Sequence, residues 1–229
     1  MVGDVLDDQH RSVLDIAVLA SLFPGLGLEP VVEIGRTARQ LRCIPDETLY
    51  SADQPARVGV VTSGLLRTVI TFRNGRRATI DYTEPGGFFG LPTLFHPVAL
   101  NVEVVRTSVV IEIDPATIAR VAVEFPQFRW FIAQQLASTA LRMPSLIEEF
   151  AFKTVRQRVA GHLLALSTPR STDQLLEARV THEALADSVG SVREVVSRSL
   201  GSLRKEGLIA IGVAAITVLN AEALQEASN

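Results

Sequence analysis

Between residues 180 and 209 the chain alternates apolar and polar positions with the period of a helix, breaks once, and resumes. Ala184, Leu185 and Val189 share one helical face, and Val195, Val196, Leu200 and Leu203 share another. Thr181 is placed to cap the first helix, with Glu183 in its first turn. Gly190 falls where the connecting turn needs an unhindered backbone, and Ser191-x-x-Glu194 predicts a capping box at the second helix. Arg193, Ser197, Arg198 and Arg204 are left facing out or toward the turn. Two short helices joined tightly, the second opening with arginines, is the pattern of a helix-turn-helix whose second member enters the major groove. The alternative is an ordinary helical hairpin with a solvated charged face.

From about residue 43 to 114 the period changes. After a short helical entry, short strand-like runs recur between turn signals: 58–61, 65–72, 78–82, 102–105 and 108–113. Ser63-Gly64 reads as a break, Asn74-Gly75 as a type I′ hairpin turn, and Pro85-Gly86 as a type II turn. Many short strands with regular turns predict a jelly-roll-like sandwich. Residues 127–154 then form a long amphipathic stretch. Leu136, Ala140, Met143, Ile147, Phe150 and Thr154 follow alternating steps of four and three, the seam of a two-stranded coiled coil. Pro144 must kink this helix or sit in the first turn of a restarted one, and the joint there is the expected hinge. Toward the end, 208–211 and 215–219 read as the two strands of a wing, with no basic residue from Ile209 onward.

Composition narrows the function classes. The chain of 229 residues is long enough for two modest domains, and 47% hydrophobic residues can supply their cores. A net charge of −3 excludes a globally basic nucleic-acid binder. Locally the balance reverses: between Lys153 and Glu206 basic residues outnumber acidic ones, so DNA binding there should be salt-dependent. The single cysteine, Cys43, excludes an internal disulfide and a cysteine-ligated iron–sulfur cluster. His10, His96, His162 and His182 are scattered without ligand spacing, so no metal or haem is expected. No catalytic constellation and no cofactor motif is visible, and Gly86-Gly87-x-x-Gly90 is not followed by a helix pattern. With no signal-peptide pattern and no membrane-length apolar run, a cytoplasmic location without membrane contact is expected.

The run Gly190-Ser191-Val192-Arg193-Glu194-Val195-Val196-Ser197-Arg198, followed by Leu203-Arg204-Lys205-Glu206-Gly207-Leu208-Ile209, resembles the cAMP receptor protein/FNR (Crp/Fnr) family of bacterial transcription factors. The family's recognition helix commonly reads R-E-x-x-S-R, which Arg193, Glu194, Ser197 and Arg198 match position by position. The resemblance implies an α+β chain: an N-terminal cyclic-nucleotide-binding-like β-roll, a long dimerisation helix and a C-terminal winged helix-turn-helix. The expected boundaries are 1–124, 125–154 and 155–229. It further implies Arg193 bidentate to guanine, Glu194 accepting from cytosine and Arg198 on a base or phosphate, within a TGTGA-like half-site repeated as a palindrome under a homodimer. Thr181, Ser191, Val192, Ser197, Arg204 and Lys205 complete the expected DNA-binding set. Leu136, Ala140, Met143, Ile147 and Phe150 form the expected dimer interface.

The resemblance fails in one place. Nucleotide-binding members carry G-E-L and then R-S or R-T, the arginine pairing the cyclic phosphate and the glutamate the ribose. Here Gly90 is kept, Leu91 stands where the glutamate belongs, and no arginine lies between Leu91 and Glu103. A phosphate against Leu91, Val98 and Ala99 would lack a charge partner. Met143 and Pro144 also fall where cAMP-binding members place hydroxyls. The candidate lining is apolar: Leu65, Phe72, Tyr82, Phe88 and Phe89, then Gly90, Leu91, Leu94, Phe95, Val98, Leu100 and Met143. It suits a small apolar effector or a collapsed core with no ligand, while Arg67, Arg76, Arg77 and Arg106 are the candidate carboxylate anchors or plain surface charge. The expected function is therefore a regulator that binds double-stranded DNA outside cAMP control. RNA polymerase is a candidate partner that no motif identifies. The alternatives are a nucleotide-responsive regulator with an atypical pocket, or a ligand-binding module with protein partners only.

Overall fold

The computed structural model describes residues 15–51, 54–96, 98–170, 175–213 and 215–229; His10, Pro97, Asp173 and Ala214 lie outside them. The described residues divide into two compact units. Of these, one holds the residues up to Thr68 together with those of Asp81–Arg142, the other those of Val69–Ile80 together with those of Met143–Asn229.

The first unit opens with α1 (Ile16–Leu22) and α2 (Leu28–Gly35). Then come β1 (Arg39–Cys43), β2 (Thr48–Tyr50), β3 (Val58–Thr71), β4 (Arg77–Thr83), β5 (Phe88–Phe89) and β6 (Leu100–Ile113). The strands form a sheet in the order β1-β6-β3-β4, with β2 on β6 and β5 on β3. Helices α3 (Pro115–Glu124) and α4 (Pro126–Leu141) follow. The sheet buries both faces, which is why its strands read as near-continuous apolar runs. Val58, Val60, Ile111 and Ile113 pack with Leu19, Phe23, Val31, Ile34, Val121 and Phe128 from the helices. Val61, Leu66, Val102, Val104 and Val110 pack with Cys43, Leu49, Tyr50 and Phe89.

Three local expectations are corrected. The runs at 58–61 and 65–72 are one strand, β3, and those at 102–105 and 108–113 are one strand, β6. Gly64 does not end the strand; it bends it. Its φ of +95° and a close approach that would set a Cβ 2.6 Å from the Ser108 Cα let the Ser108 hydroxyl accept from the Leu65 N–H at 3.0 Å. The hairpin turn at Asn74-Gly75 is not type I′, which needs positive φ at both residues. Only Gly75 has it, at +78°. Gly75 N–H donates to Phe72 O at 2.9 Å and Phe72 N–H to Arg76 O at 2.8 Å, a type I turn followed by a glycine bulge.

The second unit contains α5 (Met143–Ala151), α6 (Val155–Leu166), α7 (His182–Ser188), α8 (Arg193–Lys205) and α9 (Ala221–Glu226). A four-stranded sheet, ordered β7-β8-β10-β9, is built from β7 (Thr168–Pro169), β8 (Leu176–Ala178), β9 (Ile209–Ile211) and β10 (Ile216–Val218). The expected wing is its β9–β10 pair, with Ile216 opposite Ile211. The β7–β8 pair carries no periodic signal in the sequence. The stretch 127–154 is two helices, α4 and α5. Pro144 occupies the second position of α5, where its missing N–H costs nothing, so the helix restarts there. Thr154 and Gln157 form a reciprocal capping box that starts α6.

Candidate nucleic-acid interface and the cassette turn

The helix pair forms as the periodicity predicts. Thr181 accepts from the Ala184 N–H at 3.0 Å and caps α7. Gly190, at φ +66°, closes α7 with two bonds: its own N–H to Asp187 O at 3.4 Å, and the Ser191 N–H to Ala186 O at 3.0 Å. This is the left-handed closure in which a glycine follows the last helical turn. It also overturns the expected Ser191–Glu194 capping box. The residue ahead of α8 is Val192, extended at φ −112°, and it offers no side-chain cap.

Helix α8 has two distinct faces. Val196, Leu200 and Leu203 are buried, Ser199 returns its hydroxyl to Val195 O at 3.0 Å, and Val195 is half-buried. On the other side Val192, Arg193, Glu194 and Arg198 are exposed. None of the three charged residues has an ion-pair partner among the described residues. Ser197 is held by His182 Nδ1 at 2.9 Å, a tie between α7 and α8 that sequence reasoning misses because the histidine has no motif of its own. Arg204 and Lys205 are exposed in the last turn of α8, about 16 Å along the helix from Arg193, and there they also offset the helix dipole.

Long-range side chains brace this pair. Arg158 on α6 donates through Nε to Val189 O at 3.0 Å and through Nη1 to Lys153 O at 2.9 Å, with its guanidinium 5.4 Å from the Phe150 ring centroid. His162, buried on α6, meets the Glu149 carboxylate of α5 at 3.0 Å. Burial pushes the Glu149 carboxyl up; the hydrogen bond and charge of His162, with Lys153 and Arg158, outweigh it and hold the group below its ordinary value. Phe150, expected at a dimer seam, thus packs within its own unit. Met143 and Ile147 on α5 are exposed, as is Ala140 on α4, while Leu136 is half-buried against the helical core of the first unit.

At the cassette turn, the stretch after Phe89 where nucleotide-binding members carry G-E-L, the expected lining residues separate. Phe88, Leu91 and Leu94 pack with α1, α3 and α4, and the Phe88 ring lies 5.7 Å from Phe23 and 5.4 Å from Phe131. Phe89 packs on the other side of the sheet with Tyr50 and Val102. Gly90, at φ +77°, leads into a 3-10 turn over Leu91–Leu94, and the Thr93 hydroxyl donates to Gly90 O at 2.6 Å. Leu91 is 6% exposed. Leu65 is buried, Tyr82, Val98 and Leu100 are half-buried, and Phe72 and Phe95 are exposed. Met143 belongs to the second unit. Of the candidate anchors, Arg67 pairs with Glu103 at 2.8 Å, with both side chains largely buried. Arg77 pairs with Asp187 at 3.3 Å. Burial, then the charge of Glu47, raises the Cys43 thiol to about 11, so it stays protonated. No helix among the described residues is long and apolar enough to cross a membrane.

Known proteins match this architecture in both parts. Residues 41–124 match the cyclic nucleotide-binding domain, and residues 157–227 the Crp-like helix-turn-helix domain. The chain is 32% identical over 169 residues to the transcriptional regulator SdrP of Thermus thermophilus, covering 72% of this chain and 81% of SdrP. The fold is shared with a transcriptional regulator of the crp/fnr family from Eubacterium rectale, at a TM-score of 0.79 and 22% identity over 91% of this chain and 99% of that one. The CRP-family regulator TTHB099, also from Thermus thermophilus, superposes with a TM-score of 0.69 at 28% identity, over 82% of this chain and 96% of its own. With its nucleotide-binding-like sheet and its helix-turn-helix, the chain belongs to the Crp/Fnr family of transcriptional regulators.

Proposed function

We propose that the chain acts as a homodimer that reads a two-fold palindrome through α8 and is not controlled by cAMP. The reading rests on one observation above all: Arg193, Glu194 and Arg198 stand exposed and unpaired on a helix whose opposite face is buried. Arg193 is assigned to guanine O6/N7, Glu194 to cytosine N4 and Arg198 to a neighbouring base or phosphate. Ser197, tied to His182, positions the helix instead of reading a base. Thr181 and Val192 stand at the N-termini of α7 and α8, whose first backbone N–H groups favour phosphate, and Ser191, its own N–H used in closing α7, is assigned a contact through its hydroxyl.

The dimer assignment is supported by apolar side chains left open to solvent: Trp130 and Leu141 on α4, and Met143 and Ile147 on α5, with Ile147 62% exposed. The absence of cAMP control is supported by Leu91. A carboxylate for the ribose and an arginine for the phosphate are missing, and the leucine that stands instead is packed into the helical core. An apolar effector or effector-independent binding both fit this arrangement.

Fluorescence anisotropy of the full chain on a TGTGA–TCACA palindrome and on a scrambled duplex, with and without cAMP, tests the reading. Preference for the palindrome that is unchanged by cAMP and lost in Arg193→Ala is expected. Preference that appears only with cAMP overturns the effector assignment. A protein that stays monomeric in sedimentation at micromolar concentration overturns the dimer.

A further inference from the structure

The hairpin between β3 and β4 does not group with the rest of its sheet. Val69–Ile80 falls with the helical unit. Its stem is fastened to the end of α7 and the turn ahead of α8. Ala78 makes an antiparallel bridge with Val189, and Arg77 Nη1 lies 3.3 Å from Asp187 Oδ2. Ala78 and Thr79 are buried, and a Cβ on Gly190 would stand 3.4 Å from the Ala78 Cβ.

Beyond this stem the tip, Arg73-Asn74-Gly75-Arg76, is exposed. It is a defined turn, held by the two Phe72 bonds and by Arg76 N–H donating to Asn74 Oδ1 at 3.1 Å. Neither Arg73 nor Arg76 has an ion-pair partner among the described residues. The tip is thus a preformed basic loop with two exposed guanidiniums that no carboxylate of the described residues neutralises. It is bound to the turn that ends three residues before Arg193, while the reading residues of α8 remain exposed.

Reach and supply both matter here. The turn apex is three residues from the Ala78–Val189 bridge, about 10 Å at strand rise. The major groove is about 12 Å wide, so the phosphates that wall it lie close to any helix N-terminus seated in it. The wing, the other element flanking α8, carries no basic residue. Arg204 and Lys205 stand about 16 Å along α8 from Arg193, so beyond Arg198 phosphate neutralisation at the N-terminal end of the helix must come from elsewhere in the unit.

We infer that the β3–β4 hairpin tip is part of the DNA interface, with Arg73 and Arg76 contacting backbone phosphates beside the site read by α8. This rests on the proposed reading of α8. It adds a sequence-independent arm from the sensor half of the chain. Contacts of this kind position a protein and raise affinity without choosing bases.

The test is the salt dependence of binding by the full chain on the palindromic and the scrambled duplex. Four proteins are compared: wild type, Arg73→Ala with Arg76→Ala, Arg73→Lys with Arg76→Lys, and Arg193→Ala. The double alanine variant should bind both duplexes more weakly by a similar factor, on the order of tenfold. Its log–log salt slope should fall by about 0.9 for each phosphate that is no longer neutralised. The lysine variant, which keeps the charge, should restore most of both. An unchanged slope in the alanine variant overturns the proposal and leaves the basic tip to an acidic protein partner. Lysines that fail to rescue overturn it as well. Failure of the α8 reading is seen separately: the wild type would then not distinguish the duplexes and Arg193→Ala would change nothing, while the slope on scrambled DNA would still judge the hairpin. Both substituted positions are exposed turn residues, and matched thermal melts check that a loss of binding is not a loss of folding.

Discussion

Two turns in this chain hinge on a glycine in the left-handed region, and they have opposite surroundings. At the cassette turn a Cβ on Gly90 would lie 1.9 Å from Arg57 O, and the next side chain, Leu91, is buried. At the helix-turn-helix the nearest atoms to a Cβ on Gly190 are 3.4 Å away, and the side chains that follow, Val192 and Arg193, are exposed. The family resemblance breaks at the first turn and holds at the second. At the first, hydrocarbon and aromatic rings pack around the turn. At the second, Arg193, Glu194 and Arg198 are exposed with no ion-pair partner among the described residues, and Ser197 is held by His182. One turn is core, and the other is available for contact.

The sharpest way to break this comparison is to restore the missing carboxylate. Leu91→Glu removes a buried side chain from the core cluster that includes Phe128 and Ile132 and puts an unpartnered acid in its place. We expect a loss of about 4 kcal/mol in urea unfolding and no gain of cAMP affinity by calorimetry. A variant that stays stable and binds cAMP would mean that the turn is an open site after all. Gly90→Ala should come next, at about 3 kcal/mol, because left-handed strain adds to a collision with backbone that cannot move aside. Gly190→Ala meets only ordinary contacts and should cost about 1 kcal/mol, the strain alone. Equal losses at the two glycines would erase the distinction between the turns.

Between those two lies the exposed face of α8. Arg193→Ala is exposed and should leave the melting temperature unchanged. It should lower discrimination between the palindrome and a duplex altered at one base pair by about 1–3 kcal/mol. Lys205→Ala, in the last turn of α8, should instead weaken every duplex alike.

Local pattern is legible in this sequence and long-range pairing is not. The apolar spacing of Val196, Leu200 and Leu203 places the buried face of α8 and so, by exclusion, its exposed arginines. Thr181 as a cap needs only its neighbours. Ser191 fails as a cap because its N–H and position are already used in closing α7 around Gly190, a competition between two motifs that overlap in sequence. Strand β3 looks divided because Gly64 resembles a turn. Only the facing Ser108, far along the chain, reveals it as a bend. The same holds for the braces: Arg158 on Val189, His162 on Glu149 and Arg77 on Asp187 join residues that no periodic pattern links. The departure at Leu91 is visible at once, but the fate of its neighbours is not. Phe88 and Phe89, adjacent in sequence, point to different cores because successive strand residues face opposite ways.

Acid pH separates the two units with the smallest effect. In the helical unit Glu149 has a lowered native pKa: burial raises it, and His162, Lys153 and Arg158 more than offset that. Its folded value lies below the unfolded one, so its stabilisation is present above the ordinary carboxylate value of 4.5 and is lost as pH falls from there through the lowered native value. In the first unit Asp81 goes the other way. Burial raises it, and Arg142, bound at 2.7 Å and 3.1 Å, together with the Tyr82 N–H, only partly compensates. Its folded pKa lies above the unfolded one, so ionised Asp81 costs stability at neutral pH, and the cost is relieved as pH falls through the native value toward 3.8. Urea unfolding from pH 7 to pH 3 should therefore give difference curves of opposite sign. Glu149→Gln should be less stable than wild type at neutral pH, and Asp81→Asn more stable, with both converging on wild type in acid. Curves of the same sign would show that the two carboxylates share one electrostatic setting, and that the contrast between the units does not extend beyond their turns.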